Sequence, residues 1–305
     1  MKTMLVLSMG ALLLAGTLSA QTPVPEWQAG VDKMKSLIQT NPAQASEEVG
    51  ELLKGKNKKN VDLVTSVAHV YLDAGKLTEA QEYLAMAKKA DNKDPKVSVL
   101  EGDIALAQKN IGQACQLYEQ AIYFDPNCKE AYLKYAQAYK SASPALAIEK
   151  LEQLKAVDPN CLEADRELAE VYYSSNRFGK AAEMYAKFID TPLATEDDML
   201  KYAFALFLNH DFEKSLQVAQ KGLQKNARHA AFNRLVMYNN TDLKRYEDAE
   251  KAAHAFFNAS DRADYSYLDY RYYGALLSAL KKYDEAIIEY GKALEKDGTQ
   301  VDLWS

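Results

Sequence analysis

The sequence has little of what builds covalent staples, metal centres or phosphate sites. Its 305 residues include three cysteines, four histidines, eight prolines, thirteen glycines and two tryptophans. Three cysteines are too few, and odd in number, for a disulfide framework. His69, His210, His229 and His254 include no pair four residues apart, and none lies beside a cysteine, so metal-ligand spacing is missing. The patterns G-x-x-x-x-G-K-[ST], G-x-G-x-x-G, H-E-x-x-H and G-x-S-x-G do not occur. Their absence removes the phosphate cradle, the dinucleotide loop, the zinc-protease helix and the nucleophile elbow. The adjacent carboxylates Glu47-Glu48 and Asp197-Asp198 would point about 100° apart on a helix, so they read as charge at helix starts. These absences predict a protein that is not an enzyme and carries no cofactor and no metal. A basic surplus is lacking too: 37 Lys and Arg stand against 43 Asp and Glu, a net charge of −6. Nucleic acid and anionic membranes are therefore not expected as partners by charge alone.

What is present begins with an address. Lys2, an apolar run from Met4 through Leu18 and the small pair Ser19-Ala20 read as a secretory signal peptide over residues 1–20, cleaved after Ala20. The run is shorter than the roughly 20 residues that span a bilayer, and Ser8, Gly10 and Gly16 interrupt it. The first cysteine is Cys115, which excludes a lipid-modified cysteine at the cleavage site. No later stretch suits a membrane span. Removing residues 1–20 takes Lys2 away and leaves a mature charge of −7. The expected location is the periplasm or the cell surface of a Gram-negative bacterium.

The dominant signal is a period. A small residue opens successive copies at Ala80, Ala114, Ala147, Ala181, Ser215, Ala249 and Ala286, in steps of 34, 33, 34, 34, 34 and 37. A bulky residue follows four places on at Leu84, Tyr118, Leu151, Tyr185 and Tyr290. Another small residue precedes by twelve at Ala68, Gly102, Ala169, Ala203 and Gly274, and by eleven at Ala136 in the short third copy. Each copy reads as two amphipathic helices joined by a short turn, which forces them antiparallel. Small residues let the backbones approach, and the bulky residue fills the space beside them. A lone pair cannot bury both faces, so the pairs must stack.

These fragments resemble the tetratricopeptide repeat family. Gly102–Pro126, Ala169–Pro192 and Gly274–Ala293 carry the resemblance, with Ala131–Tyr139 and Lys282–Leu294 similar to the two halves of the family's unit. It covers roughly residues 61–298. It implies an all-α fold, a right-handed superhelix of helical hairpins, and a non-catalytic scaffold that binds a protein or peptide. The expected organisation is a signal peptide over 1–20, a degenerate capping pair and basic loop over 21–60, seven hairpins over 61–298 and a tail over 299–305. The sixth copy departs from the pattern, with Met237 at a small position, Asn240 at an aromatic one and a longer connector at 258–264. It reads as a looser joint or, equally, as a functional interruption of the array.

The first helix of each copy leaves one stripe that packing does not use. In the C-terminal half this stripe holds Arg166, Tyr173, Phe204, Phe207, Arg234, Tyr238, Arg271 and Tyr272, residue types favoured at binding hot spots. They are expected to bind an extended peptide or a partner's helix, with the arginines meeting acidic groups. The same pattern allows Phe204 and Phe207 to pack inward instead. An alternative reading is a homo-oligomeric envelope component that uses an uncapped C-terminal end. There, Leu303 and Trp304 could fold back or another chain could cover the face. Cys128 and Cys161 hold the same place in consecutive Asp-Pro-Asn-Cys segments, about one helix spacing apart, too far for a disulfide. Three thiols are expected, with Cys115 buried.

Overall fold

A computed structural model describes residues 24–259 and 264–297. The signal-peptide reading and the tail residues Leu303 and Trp304 lie outside the described residues. Among the described residues every long element is an α-helix, and no helix is long and apolar enough to cross a membrane. Two compact units divide between Met86 and Ala87, inside the fourth helix.

The first unit holds α1 (Gln28–Leu37), α2 (Pro42–Leu52), α3 (Val61–Asp73) and most of α4 (Leu77–Ala90). Asn41 caps α2 by accepting from the Gln44 N–H, with Pro42 at the first helical place. Val31, Met34, Ala45 and Val49 are buried in the pair. The lysine-rich segment Gly55–Lys59 forms a single 3₁₀ turn. Asn60 then caps α3.

The second unit continues with α5 (Pro95–Ala107), α6 (Ile111–Phe124), α7 (Lys129–Tyr139), α8 (Pro144–Val157), α9 (Leu162–Ser174) and α10 (Phe178–Phe188). It closes with α11 (Glu196–Leu208), α12 (Phe212–Lys225), α13 (Ala230–Asp242), α14 (Tyr246–His254), α15 (Tyr267–Ala279) and α16 (Tyr283–Lys296). Consecutive helices pack as hairpins, and first helices also touch the first helix of the next hairpin, as α7 does α9 and α13 does α15. This is a tandem array of helical hairpins, an all-α solenoid.

Close approach explains the small residues. A Cβ at Gly102 would lie 2.5 Å from the Tyr118 ring, and one at Gly274 would lie 2.8 Å from Tyr290. Tyr118, Leu151 and Tyr185 are fully buried in the spaces beside those positions.

The turns inside the hairpins repeat as well. Lys109, Asn176, His210, Lys244 and Lys281 hold φ of 64°, 57°, 62°, 59° and 62°, where Gly75 holds 73°. Each sits just past a first helix, and the next N–H reaches back over the turn, as Asn110 does to the Ala105 carbonyl at 2.9 Å. The third hairpin is one residue short at this point. No residue of its turn takes positive φ, and Ser143, the N-cap of α8 as Asn110 is of α6, has φ −151°. Left-handed backbone strains a side chain by roughly 1–2 kcal/mol, partly offset by the entropy glycine loses on folding. Lys109→Gly is therefore expected to raise stability by about 0.5–1 kcal/mol in urea unfolding.

The sixth joint is not loose. Met237, Asn239 and Asn240 are buried, and the Asn239 side-chain amide donates to Ser215 Oγ at 2.8 Å. Ser215 in turn donates to the Ala203 carbonyl at 2.8 Å. α14 runs on into a π-helical turn over Ala255–Ala259. That turn drops Phe256 and Phe257 against Tyr265, with ring centroids 5.2 and 4.9 Å away. Phe256 and Phe257 precede the lengthened connector and Tyr265 follows it, so its two ends are packed together, while residues 260–263 lie outside the described residues.

Candidate functional site

The stripe singled out in the sequence lies on α9, α11, α13 and α15, all in the second unit. Two of its three arginines are bound within the chain. Arg166 on α9 donates from Nε to Asp198 Oδ1 at 3.0 Å. Arg234 on α13 donates to both oxygens of Asp269, at 2.7 and 3.1 Å, and to the Asp264 carbonyl at 2.9 Å. Each arginine reaches an aspartate near the start of the next first helix. Both aspartates are almost completely buried, 1% and 0% exposed, so the pairs belong to the framework.

Those aspartates cap their helices as well. Thr195 and Asp198 form a reciprocal capping box at α11, and Ser266 and Asp269 form one at α15. Burial by itself raises the Asp198 carboxyl. Hydrogen bonds from Thr195 and the Arg166 guanidinium overcome it and hold the group below its ordinary value of 3.8. A lowered native value means stabilisation that is complete above about 3.8 and is lost as pH falls through the native value. In acid titrations followed by circular dichroism, Asp198→Asn should flatten this limb of the stability curve and leave the slope at neutral pH unchanged.

The aromatic members of the stripe divide. Phe207 and Tyr238 are buried, at 8% and 2% exposure, which corrects the expectation that they face a partner. Tyr238 stacks on Tyr272 at 4.1 Å and donates its hydroxyl to Asp269 at 2.7 Å. Phe207 packs on Tyr238 at 5.6 Å and on Tyr272 at 6.2 Å. The inward option for Phe207 is the one the structure takes. The physical reason is a large flat side chain on three neighbouring first helices, which meet each other before they meet solvent. Phe204, Tyr173, Arg271 and Tyr272 remain half-buried. Tyr272 also donates to Asp242 at 2.9 Å, and Tyr173 meets Phe178 edge-on at 5.7 Å. Phe207, Arg234, Tyr238 and Tyr272 therefore form one cluster. Arg166 and Tyr173 lie on α9, one hairpin before Phe207 and two before Arg234 and Tyr238.

A second polar device joins earlier hairpins. Tyr118 donates to Asp103 at 2.8 Å, and Lys134 from the next hairpin pairs with the same carboxylate at 3.0 Å. Two hairpins on, Tyr185 donates to Glu170 at 2.8 Å and Lys201 pairs with it at 3.0 Å. Asp165, 2% exposed, is held by Lys155 at 2.7 Å and Lys187 at 3.1 Å. These acids were legible only by comparing copies in phase, because single-copy patterns do not show what lies one hairpin away.

That phased geometry agrees with known proteins. A family model described as tetratricopeptide repeat matches residues 67–127 and 136–193. Over those residues the chain carries tetratricopeptide repeats. Its fold is similar to that of pilF from Pseudomonas aeruginosa, at 15% identity and TM-score 0.53, covering 68% of this chain and 96% of that one. It is also similar to PilW, a widely conserved type IV pilus biogenesis factor, at 17% identity and TM-score 0.52, covering 65% and 92%. The C-terminal part of a repeat-containing protein from Cytophaga hutchinsonii is similar at 16% identity and TM-score 0.53, covering 90% and 97%. At these identities the likeness is one of fold. No curated protein matches the chain in sequence.

A pocket of about 260 Å³ opens between α10, α11 and α12, lined by Ile189, Met199, Tyr202 and Val218. The charges at its rim are spent on each other, with Asp190 paired to Lys221 and Lys214 paired to Asp211. The three cysteines are free thiols, Cys115 and Cys161 buried and Cys128 half-buried. Burial pushes the Cys115 thiol up to about 11, with Glu119 adding to it, and burial also raises Cys128 and Cys161. Alkylation at pH 8 without reductant should label Cys128 first and Cys115 slowest. Mass spectrometry of timed samples reads the order.

Proposed function

We propose that this tetratricopeptide repeat protein is an exported, non-catalytic scaffold that binds a protein or peptide partner in the periplasm or cell envelope. The observation that carries the reading is a half-buried platform on a framework already satisfied from within. Phe204, Tyr173 and Tyr272 keep part of their surface open. The arginines behind them are bound to Asp198 and Asp269. Side chains held in place before binding lose little freedom when a partner arrives, so the platform is preorganised. The role first assigned to Arg166 and Arg234 thus shifts from meeting acidic groups on a ligand to holding the platform still. The fold likeness to PilW, a pilus biogenesis factor, is in keeping with an envelope assembly.

Affinity capture from envelope extracts tests the platform. The double variant Phe204→Ala with Tyr173→Ala should lose the bound protein while keeping its thermal midpoint within a few degrees. An unchanged bound set discards the platform. Export has its own test: residues 1–20 fused to a reporter active only outside the cytoplasm should yield activity, and the mature chain should begin at Gln21.

A further inference from the structure

The outward face of α16 is unlike that of any other second helix. Tyr283, Ile287 and Ile288 are 58%, 68% and 58% exposed. Ile287 sits where the second helices of hairpins further up the chain bury Cys115, Ile148, Ala182 or Leu216, and no further hairpin among the described residues covers it. Ile288 has no such explanation. Two places past the small residue, the six preceding copies carry Glu82, Gln116, Glu149, Glu183, Gln217 and Lys251, all polar. An isoleucine where stacking always leaves a solvent position is surface that packing of the chain does not account for.

The face has a definite shape. Asp284, Ile287, Ile288 and Gly291 stand at i, i+3, i+4 and i+7, the four corners of the hole that accepts a knob from a facing helix. Gly291 leaves the hole deep, since a Cβ there would meet nothing within 4 Å. Asp284 lies on its rim and Glu295 one turn beyond on the same side, while the neighbouring Lys292 is held by Glu289 at 2.7 Å. The charge offered beside the apolar hole is therefore negative.

We infer that this face docks an amphipathic helix of a partner protein, whose large apolar side chain enters the hole over Gly291 and whose Lys or Arg residues meet Asp284 and Glu295. A second copy of the chain is a poor occupant. Two antiparallel α16 helices would set Asp284 of one beside Glu295 of the other, and like charges at an interface repel. The chain's own residues 298–305 offer no base and one acid, Asp302, so they do not complement the rim either. This site is separate from the Phe204 platform and does not depend on it.

The test uses the full mature chain and two synthetic 16-residue helices, one with a leucine stripe flanked by lysines and one flanked by glutamates. Fluorescence anisotropy should show the lysine form binding at least tenfold more tightly than the glutamate form. Gly291→Leu fills the hole without a clash and raises helix propensity, so it should fold at least as well yet bind at least tenfold more weakly. Asp284→Lys with Glu295→Lys should reverse the preference between the two peptides, while Phe204→Ala should bind as the wild type does. Equal binding by Gly291→Leu and the wild type overturns the inference. So does a concentration-dependent dimer that Gly291→Leu abolishes, which would make a second copy the occupant. Binding that appears only after residues 298–305 are deleted overturns it too, because the tail would then own the face.

Discussion

Asp269→Ala is expected to lower stability by about 3–5 kcal/mol and to detach the last hairpin before the rest of the second unit unfolds. The carboxylate is 0% exposed and accepts from Arg234 Nε and Nη2, from the Tyr238 hydroxyl, and from the Ser266 N–H and hydroxyl. Removing it leaves a guanidinium half in the interior without its partner, which is the costly way to break a buried pair. It also uncaps α15, worth about 1 kcal/mol more. Because neighbours carry most of a repeat array's stability, the loss should be local. Hydrogen exchange should speed up first across α15 and α16, with α5 to α8 unchanged. Asp269→Asn keeps an acceptor for Tyr238 and Arg234 and should lose less. Uniform loosening of the whole second unit would show that Asp269 does not act as a joint.

Tyr185→Ala should cost about 3–5 kcal/mol, whereas Tyr185→Phe should cost about 1 kcal/mol. The ring is fully buried beside Ala181 and Ala169 and touches Phe188 and Tyr202, at 5.7 and 6.0 Å between ring centroids. Truncation leaves a cavity that two flanking helices cannot close, since their separation is set by small residues along their whole length. Loss of the hydroxyl alone leaves Glu170 still paired with Lys201 at 3.0 Å. Denaturant midpoints of the two variants separate the volume of the ring from its hydrogen bond. A phenylalanine variant as unstable as the alanine one would mean that the Glu170 contact, and not packing, holds these hairpins together.

Much of this was readable from residue order, and particular elements show why. The period of small and bulky residues located the hairpins because backbone approach at Gly102 or Ala169 is a steric demand that only small side chains meet. Helix starts such as those at Asp94-Pro95 and at Thr195 with Asp198 can be read from residue order, because capping is a contact within three residues. The sixth joint misled because its rescue is nonlocal: Phe256, Phe257 and Tyr265 come together only after a π-helical turn rotates the chain. The stripe misled in part for the same kind of reason. Phe207 and Tyr238 sit on different hairpins, and nothing in either segment says that their rings will touch at 5.6 Å.

Residue order by itself determined the all-α class, the hairpin period, the caps and the positions of close contact, since each follows from sterics or hydrogen bonding inside one hairpin or along one helix face. Tertiary structure alone decided which stripe residues became framework. Arg166 and Arg234 each had one aspartate within reach in the following hairpin, 32 and 35 residues on, and a buried carboxylate must be neutralised by whatever cation stacking brings to it.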